Sequence, residues 1–475
     1  MRKAPALAAS LLLAGCTVGP DFHRPQVAAP PAFGAEPADV ASRTYAGEAD
    51  VRWWERFGDA ELSSLVERLA KQNLELQQAA ERVQQARGER QVAASQGLPR
   101  IDAQGSYVRQ RQSENGSAAL VEPAPGAPNP YNLFRSVLAA SWELDLFGRV
   151  RRATEAAGAQ ADAAVEARRG LALSAVSDLV QSYCELRLAQ AQEGLLRRNL
   201  ALAERRRALV RDRFANGVAT TLEVAQADAQ ALGIAQDLPG LRTRQASLVN
   251  AIGLLLAEPP RTLTDELTRP AVQPLVPPAV PIGLPADLAR RRPDVREAEA
   301  RLHAATAETG VAVASFYPDI NLTGNFGLES LHLGTLFAPA STDYRAGPMI
   351  DLPIFQGGRL TGTLRVRRSQ QREAALAYRQ TVLGALHDVD NALTGYAEAQ
   401  HRRTDAAATS QANARALAAA NQRYREGVVT FLDVITEQEA VLRSDEALAQ
   451  AQAQIELRLV DLYKALGGGW QTLAG

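Results

Sequence analysis

Residues 424–439 read YREGVVTFLDVITEQE, and residues 214–229 read FANGVATTLEVAQADA. An aromatic residue, Gly-Val, Thr, Leu, an acid and Val recur in the same order, 210 positions apart. An echo of this kind is the signature of a duplicated unit. Each copy also reads as the end of one helix and the start of the next. Gly217 and Gly427 supply the positive φ that a tight reversal needs. Thr220 and Thr430 then stand as N-caps, with Glu223 and Asp433 three residues on, the capping-box spacing. The pattern therefore predicts two helix hairpins with tips at 215–220 and 425–430.

The repetition extends upstream of the tips. Leu98-Pro99-Arg100-Ile101-Asp102 parallels Tyr317-Pro318-Asp319-Ile320-Asn321, and Gly105 parallels Gly324. Asp145-Leu146-Phe147-Gly148-Arg149 loosely parallels Asp351 through Arg359. Alanine-rich helical runs precede both, at roughly 60–97 and 287–316. The unit written twice, over 59–256 and 287–466, is thus helix, two extended segments, very long helix, tip, helix. Between the copies, 257–286 holds eight of the 25 prolines and reads as an extended linker. A tail of 467–475 closes the chain.

Two periodicities alternate within each unit. No proline interrupts 149–215 or 359–426. Helices of that length far exceed the average of about 11–12 residues and need partner helices along their course. Heptad-like positions such as Leu448, Ile455, Leu459 and Leu462 suggest coiled-coil packing. The extended segments, about 101–112, 133–146, 318–328 and 342–354, alternate with period two. Ile320, Leu322, Gly324, Phe326 and Leu328 share one face, opposite Asp319, Asn321, Thr323 and Asn325. Phe134, Leu138, Ala140, Trp142 and Leu144 share another, opposite Arg135, Ser141, Glu143 and Asp145. Segments of about ten residues, apolar outward and polar inward, fit a transmembrane β-barrel. A soluble half-buried antiparallel sheet has the same period and remains open on this ground. Four strands cannot enclose a channel, since barrel diameter grows with strand number. If they span a membrane, several chains must pool them in a cyclic oligomer.

Composition narrows the remaining classes. Lys plus Arg is 52 and Asp plus Glu 53, so no global basic field invites nucleic acid. Only Cys16 and Cys184 occur, too few for a disulfide framework. The five histidines fall in no HExxH or ligand cluster, no metal site is expected, and no GxSxG or P-loop spacing appears. An enzyme is not expected, and no catalytic residue or cofactor is assigned. The N-terminus is more informative. MRKAPALAASLLLAGC is basic and then apolar, and it reads as a signal peptide over 1–15. Leu13-Ala14-Gly15-Cys16 resembles the bacterial lipoprotein box, which implies that Cys16 is the mature N-terminus and carries lipid. Covalent lipid is then the only attached group, and 16–58 is a lipid-anchored, extended N-terminal segment. Thr17 in place of Asp favours the outer membrane.

Taken together these residues resemble the TolC-like outer-membrane factors, specifically the NodT- and OprM-like lipoprotein branch that serves resistance-nodulation-division efflux pumps. The resemblance is carried by Cys16 through Phe22, then Trp54, Phe57, Gly58, Asp59 and Leu62. It continues in Arg291-Arg292-Pro293-Asp294-Val295, Phe355-Gln356-Gly357-Gly358, both GVxT tips, and Tyr463 through Trp470. It implies a mainly α fold with β. Long coiled-coil hairpins of a homotrimer form a periplasmic α-barrel, and four strands per chain contribute to a twelve-stranded transmembrane β-barrel. It implies an exit duct of a tripartite pump in the outer membrane of a Gram-negative bacterium. The partners are a periplasmic adaptor protein, an inner-membrane proton-driven pump and outer-membrane lipid.

The resemblance also gives the tips their roles. Gly217, Val218, Thr220, Gly427, Val428 and Thr430 are expected to dock the adaptor. The second tip carries the expected gate: Asp433 matches the first carboxylate ring of the family, Leu432 could add an apolar ring, and Glu437 and Glu439 lie close by. The second ring position is Thr436 here, a departure from the two-tier pattern. Capping alone is the other role open to Asp433. Two further uses of such a chain stay open: a duct for type I protein secretion, and an envelope-spacing coiled-coil lipoprotein without a pore.

Overall fold

The computed structural model describes residues 17–28, 30–34, 40–48, 50–113, 115, 130–269, 274 and 276–472. The signal peptide and Cys16 lie outside the described residues. In chain order the main elements are β1 (Arg43–Tyr45), α1 (Ala60–Gln72), α2 (Leu74–Ser95), β2 (Arg100–Gln110) and β3 (Tyr131–Glu143). Then come α3 (Arg149–Ala215), α4 (Thr221–Leu255), β4 (Ala279–Pro281), α5 (Pro293–Ala314), β5 (Asp319–Ser330) and β6 (Thr342–Asp351). The chain finishes with α6 (Arg359–Arg425) and α7 (Phe431–Ala465). α3 and α6 each run for 67 residues. Among the described residues no helix is long and apolar enough to cross a membrane.

Local chemistry sets the element ends where they differ from the sequence pattern. The helical run expected over 60–97 breaks at Asn73. There the side-chain carbonyl accepts from Leu76 N at 2.9 Å and the side-chain amide donates to Leu255 O at 2.8 Å. The run expected over 287–316 starts as a short helix at Leu288–Arg291, breaks at Arg292 and resumes as α5 at Pro293, because the residue before a proline is pushed out of the helical region. Arg292 accordingly has φ −77° and ψ 120°. β3 stops at Glu143 rather than 146. Beyond it Asp145 turns to cap α3, accepting from Val150 N at 3.1 Å and Arg151 N at 2.8 Å. β6 stops at Asp351, just before Pro353, which has no N–H for a ladder.

The chain divides into two compact units. One gathers residues up to 25, 84–163 and 299–377. Its centre is an antiparallel sheet in the order β2-β3-β5-β6. The register aligns the apolar positions of all four strands. Ala103, Leu138, Phe326 and Tyr344 form one cross-strand row, and Ile101, Ala140, Gly324 and Ala346 the next. On the other face Arg135 pairs with Glu329 at 3.4 Å and approaches Asp343 at 3.9 Å. The apolar face is bare: Leu138, Phe326 and Tyr344 are 52%, 55% and 75% exposed. Monomeric soluble proteins rarely leave a contiguous apolar surface of this kind uncovered. In the same unit the N-terminal segment lies against α3 and α5. Asp21 pairs with Arg152 at 2.5 Å, and Phe22 stacks on His303 at 4.5 Å.

The second unit gathers residues 26–83, 164–298 and 378–475. Asp59 caps α1 by accepting from Glu61 N and Leu62 N. Leu62, Leu65, Val66 and Leu69 of α1 then join Val176, Leu179 and Tyr183 of α3 and Leu459, Val460 and Tyr463 of α7 in one buried core. Trp53 stacks on Tyr463 at 5.0 Å and donates its indole N–H to Gly468 O at 3.1 Å. Cys184 is fully buried here, and burial pushes its thiol well above its ordinary value, which leaves it a packed, unreactive side chain. The proline-rich linker is partly structural. Its Leu263, Leu267 and Val280 enter this core, and β4 pairs in parallel with β1.

Candidate functional site

Both tips belong to the second unit, so their mutual geometry is defined. At the first, Gly217 adopts φ 72° and its N–H bonds Phe214 O, while Val218 N–H reaches back to Arg213 O at 2.8 Å. At the second, Gly427 adopts φ 75°, its N–H bonds Tyr424 O, and Val428 N–H reaches Arg423 O at 3.0 Å. These bonds satisfy the last carbonyls of α3 and α6, which no further turn can reach. The two reversals are the same construction made twice.

Each returning helix starts with a reciprocal capping box. Thr220 Oγ1 accepts from Glu223 N at 3.2 Å, and Thr220 N–H donates to Glu223 Oε2 at 2.7 Å. Thr430 Oγ1 accepts from Asp433 N at 3.4 Å, and Thr430 N–H donates to Asp433 Oδ2 at 2.7 Å. Asp433 also receives the Thr430 hydroxyl at 2.7 Å. The Thr430 hydroxyl and N–H together hold the Asp433 carboxyl below the usual carboxylate range. The carboxylate stays open to solvent while Thr430 holds it in place.

The expected site residues sort by face. Val218 and Val428 project at the reversals, 65% and 61% exposed. Along the start of α7, Leu432, Asp433, Thr436 and Glu439 are exposed, whereas Phe431, Val434, Ile435 and Gln438 are buried. Leu432, Asp433 and Glu439 therefore share an open face. Glu437 sits half-buried at its side. Thr436 spends its hydroxyl on its own helix, donating to Leu432 O at 3.0 Å. Glu439 is engaged by Arg443 at 3.4 Å.

Two links between the hairpins were not foreseen from the sequence. Arg213 of α3 donates to Tyr424 OH at 2.9 Å and stands 5.5 Å over its ring. Arg206 of α3 donates to Gln438 of α7, and to Asn421 Oδ1 of α6 at 3.4 Å. Burial lowers the Arg206 pKa. Around these links Val210, Ala227, Phe431 and Ile435 form a small apolar cluster that joins both tips. No sequence signal marks such pairs, because arginines spaced along a helix read equally well as a solvated face.

Among the described residues no group of His, Cys, Asp or Glu is arranged to hold a metal ion. The arrangement offers charge, apolar surface and a tight reversal at each tip.

Comparison with known proteins bears on the whole chain. A family model described as outer membrane efflux protein matches residues 65–258 and again 284–468, one match per copy of the duplicated unit. Outer membrane protein OprJ of Pseudomonas aeruginosa is 33% identical over 472 residues, 98% of this chain and 95% of that one. Toluene efflux pump outer membrane protein TtgF of Pseudomonas putida is 32% identical over 481 residues, 99% of this chain and 97% of that one. The solved structure of the outer-membrane channel OprN superposes with TM-score 0.86 at 33% identity, over 96% of this chain and 100% of that one.

Proposed function

Because this chain belongs to the outer membrane efflux protein family, we propose that three copies of it form a gated duct, closed and opened at the helix tips. The chain is an outer-membrane exit channel for efflux, a component of a pump with adaptor and inner-membrane partners. The finer reading has four strands from each of three chains closing a twelve-stranded barrel. Its main support is the sheet: β2 and β6 are both edge strands, and the face they share with β3 and β5 exposes apolar rows. Pairing the β6 edge of one copy with the β2 edge of the next removes both edges. Lipid then covers the apolar rows, while Arg135, Glu329 and Asp343 line water.

The tips complete the reading. The adaptor docks on the two reversals, at Gly217, Val218 and Thr220 and at Gly427, Val428 and Thr430. The exposed valines give it apolar contact at each tip. Threefold symmetry brings Asp433, with Leu432 and Glu439, around the axis as a charged constriction, and Glu437 stands beside it. Thr436 supplies no second ring of charge. Lipid on Cys16 adds a second hold on the membrane. An energised inner-membrane pump, driven by protons, supplies the work, and this chain supplies the path.

Reconstitution in planar bilayers tests the duct. The purified protein is expected to conduct in small, brief steps, with Asp433→Ala giving larger or longer openings. A protein that inserts but never conducts, with or without Asp433, would refute it.

A further inference from the structure

The connection from β6 to α6 reads Leu352-Pro353-Ile354-Phe355-Gln356-Gly357-Gly358 and carries no charge. Ile354 and Phe355 are 90% and 89% exposed, and no large apolar residue among the described ones is more so. The turn behind them fixes how they are presented. Gly357 and Gly358 adopt φ 57° and 86°, a region that a side chain would strain, and Arg359 N–H bonds Gln356 O at 3.0 Å as α6 begins.

The connection from α2 to β2 offers a surface of the same kind. Residues 91–99 carry no charge, and Val92 and Leu98 are 64% and 65% exposed. Its turn is closed by its own hydrogen bonds. Ser95 Oγ donates to Val92 O at 2.7 Å, and Gly97 and Leu98 N–H donate to Ala94 O and Ser95 O, both at 3.1 Å. Gly97 O accepts the Trp142 indole N–H at 2.9 Å.

Topology decides what each connection can meet. β2 and β6 are the two edges of the sheet, and three antiparallel pairings in succession make them run in opposite directions. The ladder joins Arg100 to Ser141, Glu143 to Asn321 and Asp319 to Asp351, so both connections leave the sheet at the same end. Antiparallel pairing of the β6 edge of one copy with the β2 edge of the next therefore sets the two connections side by side. Lipid is the poorer cover. Arg100, Asp351 and Arg359 adjoin the two connections in sequence, and hydrocarbon there would have to take in their charges.

We propose that Ile354 and Phe355 of one copy dock on Val92 and Leu98 of the next, an apolar clasp just past the strand ends at each seam between copies. The clasp rests on the pooled-strand reading and adds to it a contact outside the hydrogen-bond ladder. Within one chain Phe355 is nearly bare, so shortening it leaves that chain's own packing intact.

The test uses the full-length protein in mild detergent, with native mass measured on the same preparation. Leu98→Cys combined with Phe355→Cys is expected to give covalently linked trimers on mild oxidation, and either substitution alone is expected to give none. Cys184 is fully buried and does not compete. Phe355→Ala is expected to lower the temperature at which the three-copy particle dissociates. If lipid covers this surface instead, the paired cysteines stay unlinked and Phe355→Ala leaves that temperature unchanged. Either result in a three-copy particle overturns the clasp and leaves the pooled barrel standing. A particle of one copy would overturn both.

Discussion

Asp433 carries two demands on one carboxylate. It closes the capping box of α7 through Thr430, and it lies on the open face that would ring the axis. Substitution separates the two. Thr430→Ala removes the cap, a loss of roughly 1 kcal/mol to helix stability, and leaves the charge in place. Asp433→Ala removes both. If charge closes the duct, Asp433→Ala enlarges bilayer conductance well beyond Thr430→Ala; equal effects would assign the residue to capping alone. The pH dependence has a definite sign. The folded carboxyl is depressed by Thr430, so its contribution is complete above the unfolded value and is lost only as pH falls through the lowered folded value. Protection of the amides at residues 430–433 against hydrogen exchange, relative to an unstructured chain at the same pH, is therefore expected to hold at mildly acidic pH and to fall only below the ordinary carboxylate range. Loss of that protection between neutral and mildly acidic pH would contradict the cap. The capping box was legible in Thr430 and Asp433, because it needs only local spacing. The Arg213–Tyr424 and Arg206–Gln438 links were not, since their partners lie 211 and 232 residues apart and share no pattern.

At the scale of elements, the sheet is the strongest constraint. Strand periodicity assigned faces correctly, because successive side chains must alternate. Leu138 and Ala139 are neighbours in β3, yet they belong to different surroundings. Leu138 stands in the row with Ala103, Phe326 and Tyr344, and Ala139 in the row with Asp102, Asn325 and Arg345. Leu138→Arg is expected to cost about 2–4 kcal/mol if that row meets the bilayer midplane. Ala139→Arg, beside Asp102 on the polar face, is expected to be tolerated. The measure is the amount of assembled protein recovered in outer membranes and its urea midpoint in lipid. Comparable losses in both would return the sheet to a water-exposed, two-sided environment. Element ends were less legible than faces. Asn73 breaks a helix that composition would continue, because its side chain bonds both α2 and the end of α4.

At the scale of the whole molecule, the proposal that several chains pool their strands rests on the edges of the sheet. β2 and β6 leave two edges unpaired, and the apolar rows beside them are exposed. Native mass measurement in mild detergent is expected to give three copies per particle. A cysteine on each edge, one in β2 and one in β6, is expected to crosslink copies into a closed trimer. A monomer or an open ladder of higher species would exclude a closed barrel. The long helices ask for the same solution. α3 and α6 keep exposed leucines, Leu202, Leu209 and Leu376, that one chain leaves uncovered.

The sequence by itself determined the duplication, the reversals and their caps, the uninterrupted helices, and which face of each strand is apolar. All of these are set by residues within a few positions of one another, where spacing and backbone geometry are enough. The tertiary structure decided what lies opposite what: the shared row of Leu138, Phe326 and Tyr344, the breaks at Asn73 and Asp145, and the arginine links between tips. These depend on partners distant in sequence, brought close by packing, and no periodicity in the chain encodes which distant residue will arrive.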